Sequence, residues 1–245
     1  MEIHLARRRA SYGIDSPGTL FGFACALISL TVGAVIGERA VIRLALTVFA
    51  LCCAGSVALY LYATKSGKFR VWSEILDEVF LRGDERVLDL GCGRGAVLIA
   101  AARRLRTGRV VGIDLWRTQD QSGNAESRTV RNAAAEGVAD RIELCTGDLR
   151  RLPFADSTFD VVLSSLAMHN IMRPADRVTA IDEAVRVLRP GGRVFVADIL
   201  GTAKEYRRRL TELGMTAVRV RPLGWRMWFG GPWVRTKLVT AVKPF

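Results

Sequence analysis

The chain has 245 residues, half of them hydrophobic, a mean hydropathy of +0.19 and a formal net charge of +12. It is more apolar than a soluble enzyme requires, and the excess is concentrated before residue 64. The net positive charge would suit either nucleic acid or an anionic lipid bilayer, and two uncharged stretches, residues 18–37 and 44–64, favour the bilayer and disfavour nucleic acid. The five cysteines include no pair with metal or redox spacing, so the sequence predicts no metal site and a reducing compartment.

Two long uncharged stretches, residues 18–37 and 44–64, follow a basic arm at residues 1–16. At about 1.5 Å per residue, each is long enough to cross a hydrocarbon layer of about 30 Å. Only a short polar link separates them, so residues 17–64 are predicted to form a transmembrane hairpin. A signal peptide would have a shorter apolar core and no second stretch, and a buried hairpin of a soluble protein would show a polar face.

Basic residues on both sides of the hairpin predict its orientation. By the positive-inside rule, both termini and the following domain lie in the cytosol of an integral cytoplasmic-membrane protein. Small-residue motifs at Gly22/Ala26 and Gly33/Gly37 would let the two helices pack on each other or on a second copy, and both arrangements satisfy the motif. The flanking basic residues are Arg7, Arg8 and Arg9 before the first span, and Lys65, Lys68 and Arg70 after the second.

Residues 65–81 form an amphipathic linker helix, predicted to lie along the bilayer surface or to cap a ligand site. From residue 82 onwards, strand and helix patterns alternate, which predicts an α/β domain, 82–245, with a parallel sheet and helices on both faces. Strands are predicted at 86–90, 109–114, 141–146, 159–165, 193–199, 215–221 and 236–242, and helices at 95–106, 122–137, 174–189 and 202–213.

The first strand ends in Asp89 and runs into a glycine-rich turn, Gly91-Cys92-Gly93-Arg94-Gly95. Glycines allow a tight turn and close approach to a ligand, and the next helix directs unpaired N–H groups at it. Taken alone, this turn also satisfies a loose dinucleotide fingerprint, so a nicotinamide oxidoreductase remains an alternative at this stage.

Three further motifs follow in order: a second strand ending in Asp114, the segment Gly147-Asp148-Leu149, and the helix-to-strand turn Leu188-Arg189-Pro190-Gly191-Gly192. With the glycine turn, they resemble the class I S-adenosylmethionine-dependent methyltransferases, type 11, and most closely the ubiquinone and menaquinone C-methyltransferase group. The resemblance implies a Rossmann-like, seven-stranded, mostly parallel sheet, here preceded by two transmembrane helices that depart from that group.

The resemblance also implies S-adenosyl-L-methionine as cofactor. Asp89 would hold its methionine part, Asp114 its ribose hydroxyls and Asp148 its adenine amino group. Trp116 would either lie against the adenine or pack in the core. The full set of cofactor-binding residues that it implies is Asp89, Gly91, Cys92, Gly93, Gly95, Asp114, Leu115, Trp116, Gly147, Asp148, Leu149 and Ser164.

Catalytic candidates follow from where substrates lie in this fold, over the carboxyl ends of the central strands. His169 follows the fourth strand and Asp198 ends the fifth. His169 could act as a general base near neutral pH, or could instead cap the next helix. An aromatic loop with Trp225, Trp228 and Trp233 would suit a membrane interface or an apolar pocket.

The sequence therefore predicts a membrane-anchored S-adenosylmethionine-dependent methyltransferase that acts on a small or lipophilic acceptor such as a quinone, a phospholipid or another lipid-like molecule. The alternative is a non-catalytic S-adenosylmethionine-binding membrane module, which would need the same binding residues.

Overall fold

A computed structural model describes residues 9–199 and 201–245, so Arg7 and Arg8 of the predicted basic arm lie outside the described residues. Two apolar helices come first: α1 (Pro17–Ile36) and α2 (Ala40–Tyr62). Both are long and apolar enough to cross a membrane, and α1 buries none of its residues. A Cβ on Gly33 would lie 3.1 Å from Leu46, whereas one on Gly22 would meet nothing within 4 Å. At Gly33, therefore, α1 approaches α2 closely.

The second apolar helix continues into the domain without a break. A π-helical turn (Ala63–Gly67) joins α2 to α3 (Lys68–Val79), giving one helix of 40 residues. Gly67 permits this path, because a Cβ there would lie 1.9 Å from the carbonyl oxygen of Arg226. The apolar face of α3 is buried, and the indole of Trp72 donates a hydrogen bond to Ser165 Oγ at 2.7 Å. The expectation that this face could lie on a bilayer surface is corrected, because the domain core covers it.

A seven-stranded sheet follows, in the order β3-β2-β1-β4-β5-β7-β6. The first five strands are parallel, and β7 runs antiparallel between β5 and β6, so the predicted Rossmann-like fold is confirmed. The strands are β1 (Arg86–Leu90), β2 (Arg109–Asp114), β3 (Ile142–Thr146), β4 (Phe159–Ser165), β5 (Leu188–Asp198), β6 (Thr216–Pro222) and β7 (Lys237–Val242).

Helices cover both faces of the sheet, and one apolar cluster fills each side. They are α4 (Ala96–Ala102), α5 (Glu126–Ala135), α6 (Pro174–Val187) and α7 (Ala203–Glu212). β5 begins at Leu188, earlier than predicted, because Leu188 already pairs with Phe159. Pro190, Gly191 and Gly192 therefore lie within β5, where its pairing with β4 is irregular, and do not precede the strand.

Residues 9–16, the described part of the basic arm, lie along the domain as a strap. Ser122 Oγ accepts a hydrogen bond from the Ile14 amide at 2.8 Å, and Asp15 forms a β-bridge with Gln121. The Asp15 carboxylate accepts bonds from Lys68 Nζ at 2.7 and 2.8 Å, from Thr64 Oγ1 at 2.7 Å and from Gln121 Nε2 at 3.0 Å. One carboxylate thus ties the strap to the α2–α3 helix and to the domain.

Lys68→Met should destabilise the protein by about 3 kcal/mol, because it leaves the nearly buried Asp15 carboxylate without its cation. Arg221→Ala is the matched control: it breaks an exposed ion pair with Glu78 and should change stability by less than about 1 kcal/mol. Guanidinium unfolding in detergent micelles, followed by tryptophan fluorescence, measures both. Equal stability of the two variants would contradict the assignment of Asp15 and Lys68 as a structural pair.

Candidate active site

A cavity of about 710 Å³ opens at the carboxyl ends of the parallel strands, and its volume is typical of small-molecule sites. Its wall includes several parts of the chain. The glycine turn and the ends of β1 and β2 form one side, the segment after β4 forms another, and the strap together with α1 and α2 completes it. The cavity therefore joins the predicted cofactor site to the base of the apolar hairpin.

The glycine turn has the backbone that its sequence demands. Gly91, Gly93 and Gly95 have φ of +71°, +50° and +85°, values that favour glycine. A Cβ on Gly91 would lie 2.2 Å from the Cβ of Ala167, so the turn also needs glycine for close approach to the segment after β4. Thr129 Oγ1 donates to the Gly93 carbonyl at 2.7 Å and fixes the turn on α5.

Asp89 lies on the cavity wall, 1% exposed, and neither of its carboxylate oxygens forms a hydrogen bond of good geometry. Burial raises the pKa of Asp89 to about 7; a weak interaction with the main-chain amide of Leu98 opposes this rise, and the nearby charge of Asp114 adds to it. Buried polar groups are normally paired, so this carboxylate calls for a cationic donor from a ligand. The ammonium of S-adenosylmethionine is such a donor, and the group fits this side of the cavity.

Asp114 holds the turn and the next loop in place. Its carboxylate accepts hydrogen bonds from the Gly93 amide at 2.8 Å, the Trp116 amide at 2.6 Å and Asn124 Nδ2 at 3.1 Å. Asp114 and Leu115 both line the cavity. Its remaining lone pairs could accept hydrogen bonds from hydroxyl groups of a ligand.

Asp148 also lines the cavity but is not a free acceptor. Arg150 pairs with it, with a closest contact of 2.6 Å, and the same guanidinium reaches Asp176 at 2.9 Å. Hydrogen bonding to Arg150 lowers the pKa of Asp148, which keeps the carboxylate ionised. An adenine amino group would therefore share this carboxylate with Arg150.

His169 lines the cavity, and Asp198 lies behind it. Asp198 accepts a hydrogen bond from the His169 amide at 2.9 Å, and its second oxygen lies 2.5 Å from His169 Nδ1. Tyr206 also donates to Asp198, at 2.9 Å, and burial together with that carboxylate raises the pKa of Tyr206. An ionised Asp198 binds the Nδ1–H tautomer, which leaves Nε2 with its lone pair available.

Four residues of the predicted site do not reach the cavity wall: Gly95, Trp116, Ser164 and Asp198. The indole of Trp116 donates to Thr146 Oγ1 at 2.8 Å, and the hydroxyl of Ser164 donates to the Leu90 carbonyl at 3.0 Å. Gly95 precedes the first turn of α4, and Asp198 acts on the cavity only through His169. The remaining predicted residues, Gly91, Cys92, Gly93, Gly147 and Leu149 among them, line it.

Several wall residues were not predicted from the sequence. Asp120 lies in the loop after β2, and burial raises its pKa. Some of the others come from segments distant in sequence, in some cases more than 60 residues from the nearest predicted site residue, so no local motif marks them. They include Asp15, Ser16, Thr19, Phe23, Tyr60 and Lys68, with Phe229 and Val234 from the aromatic loop. Within residues 9–199 and 201–245, no group of three or more potential metal ligands was found.

Comparison with known proteins finds the same domain. Residues 88–196 match the model of a family described as Methyltransferase domain. A ubiquinone/menaquinone biosynthesis C-methyltransferase of Roseobacter denitrificans is 35% identical over 133 residues, covering 54% of this chain and 50% of the relative. A demethylmenaquinone methyltransferase of Lactiplantibacillus plantarum is 34% identical over 130 residues, covering 52% and 51%. The chain thus spans about half the length of the curated relatives it matches.

Solved structures share the fold. An S-adenosylmethionine-dependent methyltransferase from Aquifex aeolicus superposes with a TM-score of 0.56 at 19% identity, covering 70% of this chain and 88% of that chain. A geranyl diphosphate methyltransferase in complex with geranyl diphosphate and sinefungin gives the same TM-score and identity, covering 70% and 76%. At this level of identity, these structures show the fold alone.

Affinity for S-adenosylmethionine should rise about tenfold between pH 6 and pH 8, because a ligand ammonium needs the ionised form of Asp89, whose pKa is about 7. Asp89→Asn should bind more weakly and lose this dependence. Isothermal titration calorimetry of the full chain in detergent measures both. The same slope in the Asn variant would assign the titration to another group.

Proposed function

We propose that this chain, whose residues 88–196 belong to the Methyltransferase domain family, is a membrane-anchored S-adenosylmethionine-dependent methyltransferase acting on a lipophilic small molecule. The observation that carries the proposal is the shared cavity: an unpartnered Asp89 lies at one side, and Phe23 and Tyr60 of the apolar helices line another. Two relatives are named for quinone methylation, which makes a quinone-like ring the favoured acceptor over a phospholipid.

Membrane anchoring is supported by the apolar surface of the hairpin. Side chains that point away from the domain, such as Phe21 and Val41, are 70% and 79% exposed, and so much exposed apolar surface needs a partner. At the base of α2, Tyr62 stacks on Trp225 with ring centroids 5.0 Å apart. Trp225 and Trp233 are largely exposed, as expected of aromatic side chains at a membrane interface. A bilayer around the hairpin would place the domain against the cytosolic leaflet.

Different residues on the cofactor side would bind different parts of S-adenosylmethionine. Asp89 would bind the ammonium, Asp114 the ribose and Asp148 the adenine edge, while the glycine turn lets the backbone approach closely. When bound, the cofactor supplies an electrophilic methyl group on a sulfonium. The task left to the protein is to hold an acceptor atom about 3 Å from that methyl and to keep water out.

The acceptor's proton would be taken by His169. Asp198 holds Nδ1 and the main-chain amide of the same residue, so the ring is fixed at two points. The Nε2 lone pair is then available to accept a proton from a hydroxyl or an acidic carbon. The alternative of His169 as a helix cap has less support, because its Nδ1 is bonded to Asp198 and its side chain lines the cavity.

A non-catalytic S-adenosylmethionine-binding membrane module is the second candidate. Asp89, Asp114 and the glycine turn would serve binding alone equally well. The His169–Asp198 pair favours catalysis, because a binding module has no need of an oriented imidazole in the same cavity.

Transfer of label tests the function. Full-length protein in nanodiscs, incubated with methyl-labelled S-adenosylmethionine and membrane lipid extract, should place label in the organic phase, and Asp89→Ala should not. Absence of label with wild-type protein that still binds the cofactor would favour the binding module.

His169→Ala should lower kcat about 10²- to 10⁴-fold, because it removes the proton acceptor, while the Kd for the cofactor stays unchanged. Asp198→Asn is the matched positioning variant; it should lower kcat at least about tenfold, since it removes the charge that fixes the imidazole. Single-turnover kinetics and calorimetry on the same preparations separate the two quantities. A fully active His169→Ala variant would remove this residue from the mechanism.

A further inference from the structure

Ser165, the last residue of β4, presents a hydroxyl on the cavity wall, whereas its neighbour Ser164 does not reach that wall. The buried indole of Trp72 donates a hydrogen bond to Ser165 Oγ at 2.7 Å. An indole N–H can only donate, so Ser165 uses a lone pair for this bond and keeps its own proton. Among the described residues, the Ser165 hydroxyl makes no other hydrogen bond. Its proton is therefore available to a ligand in the cavity.

The register of the sheet places Ser165 close to the Asp89 carboxylate. Asp89 of β1 pairs with Leu163 of β4, and Ser165 follows Leu163 by two positions. Paired residues, and residues two positions apart along a strand, point to the same face of a sheet, so Asp89 and Ser165 share one face. Both line the cavity, Asp89 as an acceptor and Ser165 as a donor. A ligand with an ammonium and a carboxylate on the same carbon atom matches this pair.

The main-chain amides of the glycine turn are not available to such a carboxylate, because each amide from Gly91 to Gly95 already donates within the protein. Taken in chain order of the donors, the acceptors are the Ile113 carbonyl twice, the Asp114 carboxylate, Gln121 Oε1 and the Cys92 carbonyl. The ammonium of Lys68, also on the cavity wall, contacts both oxygens of Asp15. A ligand carboxylate therefore needs a donor outside the turn, and the hydroxyl of Ser165 is one.

The chain directly after Ser165 is held in a strained conformation. Leu166 lines the cavity and has φ of +55°, which is unfavourable for a residue with a bulky side chain. Its amide donates to the Ala197 carbonyl of β5 at 2.9 Å, and the next residue, Ala167, lies against Gly91. Strained residues of this kind persist where surrounding contacts fix them, and they cluster at ligand sites. These contacts fix the end of β4 against the glycine turn.

We propose that Ser165 donates a hydrogen bond to the carboxylate of bound S-adenosylmethionine, beside the ammonium on Asp89, and that Trp72 is the positioning residue for Ser165. This inference rests on the proposed function, because it takes S-adenosylmethionine as the cofactor. Trp72 belongs to α3, which continues α2, so the long second helix contributes to recognition of the amino-acid end of the cofactor. Ser165 then takes the place of Ser164 as the hydroxyl residue of the cofactor site.

Calorimetry with S-adenosylhomocysteine and with its decarboxylated analogue tests this without turnover, using full-length protein in nanodiscs. The two ligands differ only in the carboxylate, so the ratio of their Kd values reports how that group is recognised. Ser165→Ala should weaken binding of S-adenosylhomocysteine about tenfold, as expected for the loss of one hydrogen bond to a charged group, and leave the Kd of the analogue unchanged. Ser164→Ala is the matched control and should leave the ratio unchanged, because the Ser164 hydroxyl donates to the Leu90 carbonyl.

Two further variants separate the roles of the neighbouring groups. Asp89→Asn should weaken binding of both ligands, because both keep the ammonium. Trp72→Phe removes the indole N–H and retains an aromatic ring, so it should weaken binding of S-adenosylhomocysteine more than binding of the analogue, by a smaller factor than Ser165→Ala. An equal change in both Kd values would refute the positioning role of Trp72 and leave it as a packing residue.

Equal weakening of both ligands by Ser165→Ala, or the same change of the ratio in Ser164→Ala, would overturn the proposal. If near-ultraviolet circular dichroism shows that Ser165→Ala is unfolded, Ser165→Thr and Ser165→Val replace it, and only the Thr variant, which keeps the hydroxyl, should retain the wild-type ratio. Wild-type protein that binds neither ligand would contradict the proposed function itself. Wild-type binding of S-adenosylhomocysteine, with a ratio that Ser165→Ala does not change, would overturn this inference alone.

Discussion

The Asp15 carboxylate is the interaction on which the rest of the assembly depends. It receives Lys68 and Thr64 from the long second helix and Gln121 from the loop after β2. Gln121 in turn accepts the Arg94 amide of the glycine turn at 2.7 Å. Hairpin, strap and cofactor turn are therefore connected through a short chain of hydrogen bonds. Because the Lys68–Asp15 pair is almost buried, removal of either partner leaves an uncompensated charge.

This connection explains why the apolar helices form part of the cavity wall. If the hairpin is the proposed membrane anchor, a flexible linker in its place would leave the domain free to turn relative to the bilayer. Here a continuous helix runs from Ala40 to Val79 and buries its last part in the domain core. The base of the hairpin is consequently fixed against the open end of the sheet, where substrates of this fold are bound. Under the proposed function, this arrangement would present a lipophilic acceptor to His169 from one defined side.

Much of the domain could be predicted from the sequence, because its strands are short apolar runs that alternate with helical patterns. β1, β2 and β4 begin and end where predicted. The positions of the glycine turn, Asp89 and Asp114 could also be predicted, because they follow one another along β1, the turn, α4 and β2. The hairpin followed from length and hydropathy. In each of these cases, the residues that determine the local structure lie within one or two adjacent elements of the chain.

The remaining features depend on contacts between distant parts of the chain. Nothing near Asp15 indicates that it meets Lys68 and Gln121, and the amphipathic pattern of α3 does not say whether a bilayer or a sheet covers its apolar face. Trp116 bonds to Thr146 on a neighbouring strand, which no local pattern reveals. The earlier start of β5 likewise results from pairing of Leu188 with β4.

The most direct test of the account is whether the cofactor site and the hairpin base respond as one unit. Hydrogen exchange of the full chain in nanodiscs, with and without S-adenosylhomocysteine, measures this. We expect slower exchange in the glycine turn and also in residues 9–16, which reach that turn through Asp15 and Gln121. Protection confined to residues 88–196, with residues 9–16 unchanged, would contradict a shared site and leave the hairpin as an anchor alone.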